Sequence, residues 1–310
     1  MRLRSFSVLL VLSFLTGYSL TGCSGTPSGE MAGDPTGDSQ LSNGGNGTGG
    51  GGVSATDVVV LEPVPDVDIR TVDLNNVMWL FSNEGLSVPY EVKIVNGAAV
   101  VDENGFPANY AVKDVSYGDI DGDGDEDAVA SIVRTQDNGY KVLWYVWLAQ
   151  GAEAVQLQYP VAQTSRCGTL VESLVFGDGA LNITEYLRIQ GKDDSVPCSD
   201  HGTGLNKRSI TVYTEGAESW PVQSAPVAAW GGLCPQTRWD ETSPGVQDLW
   251  AAPSKDSPVT ATAGPDGGAM FELRQAPLVQ RDGWVLIGVK LAGMADDRGA
   301  TQLQCAWGAS

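Results

Sequence analysis

The eight residues from Lys141 to Leu148, Lys-Val-Leu-Trp-Tyr-Val-Trp-Leu, constrain the fold more than any other stretch. Aromatic and β-branched side chains fall on both alternating faces, so a strand here has to be covered on both sides; a buried helix of the same length is the alternative. Tyr90 to Ile94 alternates apolar and polar residues, and the pair Asn96-Gly97 that follows is a turn signal. Leu170 to Ile189 reads as a hairpin about Asp178-Gly179, with Leu181, Ile183, Leu187 and Ile189 sharing one face. Arg208 to Tyr213 offers a further short strand, and Asn75 to Phe81 is ambiguous. No long stretch joins helical periodicity to capping residues. The expected fold class is therefore mostly β, with an antiparallel β-sheet body over about 57–232 and a second, small β domain over about 233–310.

The chain opens with a processing pattern. Arg2 and Arg4 precede a mostly apolar run from Phe6 to Leu20, which has the length of a signal-peptide core and is short for a bilayer span. It ends in Leu20-Thr21-Gly22-Cys23. These four positions resemble the bacterial lipobox, which implies cleavage after residue 22 and lipidation of the Cys23 thiol. Two or more acyl chains hold a protein firmly to a membrane it does not cross. The expected localisation is the extracytoplasmic face of a bacterial cell membrane, with the lipid bilayer as partner.

Residues 23–56 follow as a tether. Between 24 and 56 there are 11 glycines in 33 residues and almost no large apolar side chains. Such a segment cannot bury enough surface to offset its ordering entropy, and as a coil it spans about 30 Å. Charge narrows the partners further. The chain carries 18 basic and 38 acidic residues, a net charge of −20. That balance argues against nucleic acid and against polybasic docking on anionic lipid.

The sharpest chemical signal is Asp119-Ile-Asp121-Gly-Asp123-Gly-Asp125-Glu-Asp127, with six acidic side chains in nine residues. Carboxylates at loop positions 1, 3, 5 and 9, a glycine at 6 and Asp125 at 7 to supply its carbonyl match the first nine positions of a calcium loop. Adjacent carboxylates repel by about 1 kcal/mol even in water, and a hard cation relieves that repulsion. An acidic, solvated turn is the alternative. Ala130 stands where an EF-hand has its bidentate glutamate, and strands rather than helices flank the loop, over Asp114 to Gly118 and Ala128 to Val133. The pattern is similar to the calcium hairpins of FG-GAP repeats, present here in one copy. The resemblance implies a structural Ca²⁺ held by Asp119, Asp121, Asp123, Asp125 and Asp127.

The wider order of motifs also resembles a group of uncharacterised bacterial surface lipoproteins. It rests on Leu74-Asn75-Asn76-Val77, Val95-Asn96-Gly97, Tyr117-Gly118-Asp119 and the acidic run behind it, Asp127-Ala128-Val129 and Gly177-Asp178-Gly179, over roughly residues 70–213. It implies location and fold type rather than chemistry.

Apart from Cys23, the cysteines are Cys167, Cys198, Cys234 and Cys305. An even number in an exported chain points to two disulfides. Of the three pairings, Cys167–Cys198 with Cys234–Cys305 keeps each bridge inside one expected body. From Leu249 onward five short strands are expected: Leu249 to Ala252, Val259 to Ala263, Met270 to Gln275, Trp284 to Leu291 and Gln302 to Trp307. Leu249-Trp250-Ala251-Ala252-Pro253, Asp282-Gly283-Trp284-Val285 and Ala306-Trp307 resemble a bacterial SH3-like barrel, which implies a wall-associated module. Among the nine tryptophans, Trp220, Trp230, Trp239 and Trp250 lie in a proline-rich stretch and are candidates for stacking on sugar rings; core or seam packing is the alternative.

Catalysis has little support. The one histidine, His201, lies in a His-Gly-Thr-Gly segment read as a surface loop beside Cys198, and the mature chain has no Gly-x-Ser-x-Gly elbow. The expected function is a non-enzymatic, membrane-anchored envelope protein with a structural calcium site. The alternatives are a peptidoglycan- or carbohydrate-binding module and a secreted glycan hydrolase using an acidic pair.

Overall fold

A computed structural model describes residues 66–82, 89–189, 191–234, 248–262, 269–272, 281–290 and 304–309. All of them belong to one compact unit, residues 61–310. The expected signal peptide, Cys23, the expected tether over residues 23–56 and Trp239 lie outside the described residues. The fold is mostly β and antiparallel. Among the described residues the only helix is a 3-10 turn, Ile69–Thr71, and no helix is long and apolar enough to cross a membrane.

In the ambiguous segment Asn75 to Phe81 the first three residues form a turn and the rest is strand: β1 (Met78–Phe81) pairs with β2 (Tyr90–Lys93). The central sheet contains β3 (Ala98–Glu103), β4 (Phe106–Gly118), β5 (Asp127–Gln136), β6 (Gly139–Gln150), β7 (Glu153–Gln156) and β8 (Ala162–Ser165). It runs in the order β3-β4-β5-β6-β7, with β8 also on β6. Strand β6 has the predicted double cover. Leu143, Tyr145 and Trp147 pack with Trp79, Phe81 and Tyr110, while Val146 and Leu148 face the opposite side with Leu181, Ile183 and Ile210. A period of two sends alternate residues into two separate cores.

The second of those cores is closed by a sheet of β9 (Leu170–Gly177), β10 (Ala180–Leu187), β11 (Gly204–Glu215), β12 (Glu218–Ala225) and β13 (Ala229–Trp230), in the order β13-β12-β11-β10-β9. Asp178 and Gly179 both adopt positive φ, 54° and 68°, which fits the tight turn expected between β9 and β10. Glu185 sits on the same face as Leu181 and Ile183 and is 5% exposed. Its Oε1 accepts from Arg208 Nε at 2.9 Å and Asn206 Nδ2 at 2.8 Å, so the buried charge is paired.

The loop after β10 is held by its own polar groups. Asp193, also buried, accepts from the Ile189 and Thr203 N–H groups, each at 2.8 Å, and from Thr203 Oγ1 at 2.9 Å. The Arg188 guanidinium donates to the carbonyls of Val196 and Asp200. Cys198 in this loop is bonded to Cys167.

Strands are present at all five places expected from residue 249 onward, with different bounds. They are β14 (Leu249–Trp250), β15 (Val259–Ala261), β16 (Ala269–Glu272), β17 (Trp284–Lys290) and β18 (Gln304–Ala309), ordered β15-β14-β18-β17-β16. Among the described residues this path is open and no closed barrel forms. Cys234 is bonded to Cys305. Across the boundary expected near residue 232, Trp220 and Trp230 both pack edge-on against Trp307, with ring centroids 5.4 and 6.2 Å apart.

Candidate metal centre

The acidic run is the connection between β4 and β5, whose last paired residues are Gly118 and Asp127. It is anchored from inside. Ile120, between two aspartates, is fully buried in the core that contains Val129, Val146 and Leu181. With that side chain fixed, the neighbouring carboxylates are turned outward. Gly122 and Gly124 take φ values of 83° and 100°, a conformation that side-chain-bearing residues rarely adopt. Asp119 caps the turn, accepting from Gly122 N at 2.7 Å and Gly124 N at 3.2 Å.

Asp119, Asp121 and Asp127 each bring a carboxylate oxygen to within 4.8 Å of the other two. Asp127 is the inner member, 1% exposed. Its two oxygens accept from Ile120 N at 3.1 Å and Ala149 N at 2.9 Å, which ties the loop to β6. Burial pushes its carboxyl up to about 7; the Ala149 and Ile120 N–H bonds oppose the rise, and the charges of Asp121 and Asp123 add to it. Asp121 is also raised, by burial and then by Asp123.

Asp123 and Asp125 do not join that trio. They form a second, exposed group with Asp66. Asp66 is delivered from before the first strand because its segment is pinned to the β6–β7 turn: Gly151 N donates to Asp66 Oδ1, and Val67 N donates to Gly151 O at 2.6 Å. A hydrogen bond with Asp66 raises the Asp125 carboxyl. The nine-residue motif expected to fold about one point is thus divided into an inner and an outer trio. No spacing in the sequence ties Asp66 to the loop.

Glu126, the sixth acid, is engaged elsewhere. Its Oε1 accepts from Arg70 Nη2 at 2.8 Å, and the Arg70 guanidinium lies 4.5 Å from the centre of the Tyr117 ring. The Arg70 bond holds Glu126 below the usual carboxylate range. Among the described residues no arginine or lysine is hydrogen-bonded to Asp119, Asp121 or Asp127; Arg70, which does reach the loop, is spent on Glu126. An all-oxygen trio of carboxylates fits a hard divalent cation such as Ca²⁺.

No protein-family model, curated protein or solved structure matches the chain.

Both favoured cysteine pairings are present. Trp230 is a correction: at 2% exposure it is a core residue, packed edge-on against Tyr159 and Trp307, and it offers no ring to a ligand. Its place in a two-residue strand beside β12 turns the indole inward, which the surrounding prolines do not reveal. Trp220 and Trp250 are half-buried, the latter edge-on to Trp284 at 5.4 Å. His201 is exposed, with its ring against Tyr186 and Nδ1 2.8 Å from Gly202 O, in keeping with a surface loop.

Proposed function

We propose that the protein is a non-enzymatic, lipid-anchored envelope protein on the extracytoplasmic side of a bacterial membrane, its β body closed by a structural Ca²⁺ at the β4–β5 loop. The observation that carries the calcium reading is Asp127. A carboxylate 1% exposed, bonded to two backbone N–H groups and joined by Asp119 and Asp121, concentrates negative charge where water does not screen it. A cation there would fasten the loop to β6 through Ala149 and to the inner core through Ile120. The role is structural because Asp127 is committed to the backbone. The anchor rests on Leu20-Thr21-Gly22-Cys23 behind an apolar run. Two disulfides support an oxidising location.

Calorimetric titration of the protein with CaCl₂ tests the metal. Saturable heat and a rise in melting temperature at millimolar Ca²⁺, both lost in Asp119→Asn/Asp121→Asn, are expected; no heat and no rise overturn the reading. Metabolic labelling with a fatty acid tests the anchor. Label and membrane fractionation should both vanish in Cys23→Ser, and an unlabelled native protein that retains residues 1–22 overturns it.

A further inference from the structure

Two cavities adjoin where the β11–β12 turn meets the turn before β17. One, about 260 Å³, is lined by Tyr159, Trp220, Gln158 and Ser219. The other, about 620 Å³, is lined by Trp284, Ser254, Lys255 and Asp256. Ala217, Glu218 and Arg281 line both. Arg281 Nη1 donates to Glu218 Oε1 at 2.6 Å, and the two side chains are 44% and 42% exposed. The pair forms a polar bridge between two chambers, each holding one half-buried indole.

Both indoles are fixed by a second aromatic. Trp220 meets Trp307 edge-on at 5.4 Å, and Trp284 meets Trp250 edge-on at 5.4 Å. Rings held in this way present contact area at low entropic cost. Between them lie a carboxylate, a guanidinium, an amide and hydroxyls, which together accept from and donate to vicinal hydroxyl groups. Rigid aromatic surface alternating with planar hydrogen-bonding groups suits a ligand with apolar C–H faces and a polar rim. The charge of the lining disfavours one class of ligand. The lining carries Glu215, Glu218, Asp256 and Asp282 against Lys255 and Arg281, so an anionic ligand is repelled.

We propose that this double chamber binds an uncharged oligosaccharide, one sugar ring against Trp220 and another against Trp284, with the Glu218–Arg281 bridge gripping the hydroxyls between them. The inference deepens the envelope reading, on which it rests for the source of the glycan. It is independent of the calcium site.

The test is tryptophan-fluorescence titration of the protein with chitotetraose and with cellotetraose. A saturable change with at least one of them is expected. Affinity should fall about tenfold in Trp284→Ala and in Glu218→Ala/Arg281→Ala. The second variant alters only exposed side chains and should keep the parent melting temperature, and Asp125→Asn should bind as the parent does. No saturable change with either sugar overturns the proposal, as does undiminished affinity in the folded Glu218/Arg281 variant. So does tighter binding of a tetralysine peptide in the same chambers. A fatty-acylated protein that binds neither sugar loses this site and keeps its envelope location. A protein without lipid that binds through these residues keeps the site and loses that location.

Discussion

Asp127 and Asp193 share a pattern of two backbone bonds and have opposite electrostatics, and Asp193 accepts a third bond, from Thr203 Oγ1. Each is buried, and each accepts two backbone N–H groups, from Ile120 and Ala149 in one case and from Ile189 and Thr203 in the other. The Ile189 and Thr203 bonds hold Asp193 below the usual carboxylate range, with Lys192 helping. Asp127 rises to about 7 because burial outweighs its two bonds and its neighbours are acids. The contrast separates two uses of one residue type. Asp193 closes a loop and is complete as an anion. Asp127 closes a loop and remains short of positive charge.

The largest effect that could break this comparison is removal of Asp127. Asp127→Ala leaves the Ile120 and Ala149 N–H groups buried and unpaired, and urea unfolding at pH 5 in chelator should show a loss of about 2–5 kcal/mol. A loss below that range would mean that the loop relaxes and water reaches both donors.

Next comes the covalent support of the Asp193 loop. Cys167→Ser/Cys198→Ser opens a closure of 31 residues, worth about 3.5 kcal/mol in the chain-entropy account. Cys167 and Cys198 are exposed whereas Cys305 is buried, so mild thiol reductant should open the Cys167–Cys198 bridge first, read by alkylation and mass mapping. Hydrogen exchange should then accelerate at Ile189 and Thr203 and stay unchanged at Ile120 and Ala149.

The pH profile sharpens the comparison further. In chelator, the folded state keeps a proton on Asp127 that the unfolded chain releases near its ordinary value of 3.8. Its contribution is therefore full below about pH 4 and is lost as pH rises through about 7. Asp193, depressed in the folded state, contributes above its unfolded value and loses that contribution as pH falls through its lower folded one. Denaturation midpoints of Asp127→Asn and Asp193→Asn, each compared with the parent from pH 3 to 8, should show slopes of opposite sign. Millimolar Ca²⁺ should abolish the Asp127 slope alone.

The smallest effect is expected in the outer trio. Asp125→Asn should leave the unfolding midpoint in chelator unchanged and lower the calcium affinity only slightly, because its carboxylate is exposed and paired with Asp66 rather than with the inner group. An affinity loss as great as that of Asp121→Asn would place both trios around one ion.

What was legible in the sequence was local. Strand β6 showed its two covered faces because Trp, Tyr, Val and Leu alternate without a polar break. Asp178-Gly179 marks the β9–β10 hairpin, and the acidic run lies between two strands as its flanking residues predict. What could not be read depended on register between distant segments. The alternation that puts Leu181 and Ile183 on the core face puts Glu185 there too, but its partners are fixed only when β10 and β11 pair and bring Asn206 and Arg208 to its carboxylate. Asp66 reaches the acidic loop only through its bonds to Gly151. Strands β7 and β8, four residues each, lack the length for a periodic signal and exist because β6 offers edges on which to pair.

The Cys234–Cys305 bond has a consequence for resistance to proteolysis. It joins positions 71 residues apart into a ring, and proteases that cut exposed polypeptide meet that ring as one object. A single cut anywhere between the two cysteines leaves both fragments covalently joined. The terminal segment with β18 would then stay beside β14 and β17, so the nicked chain could keep its last sheet where an unbridged chain would shed it.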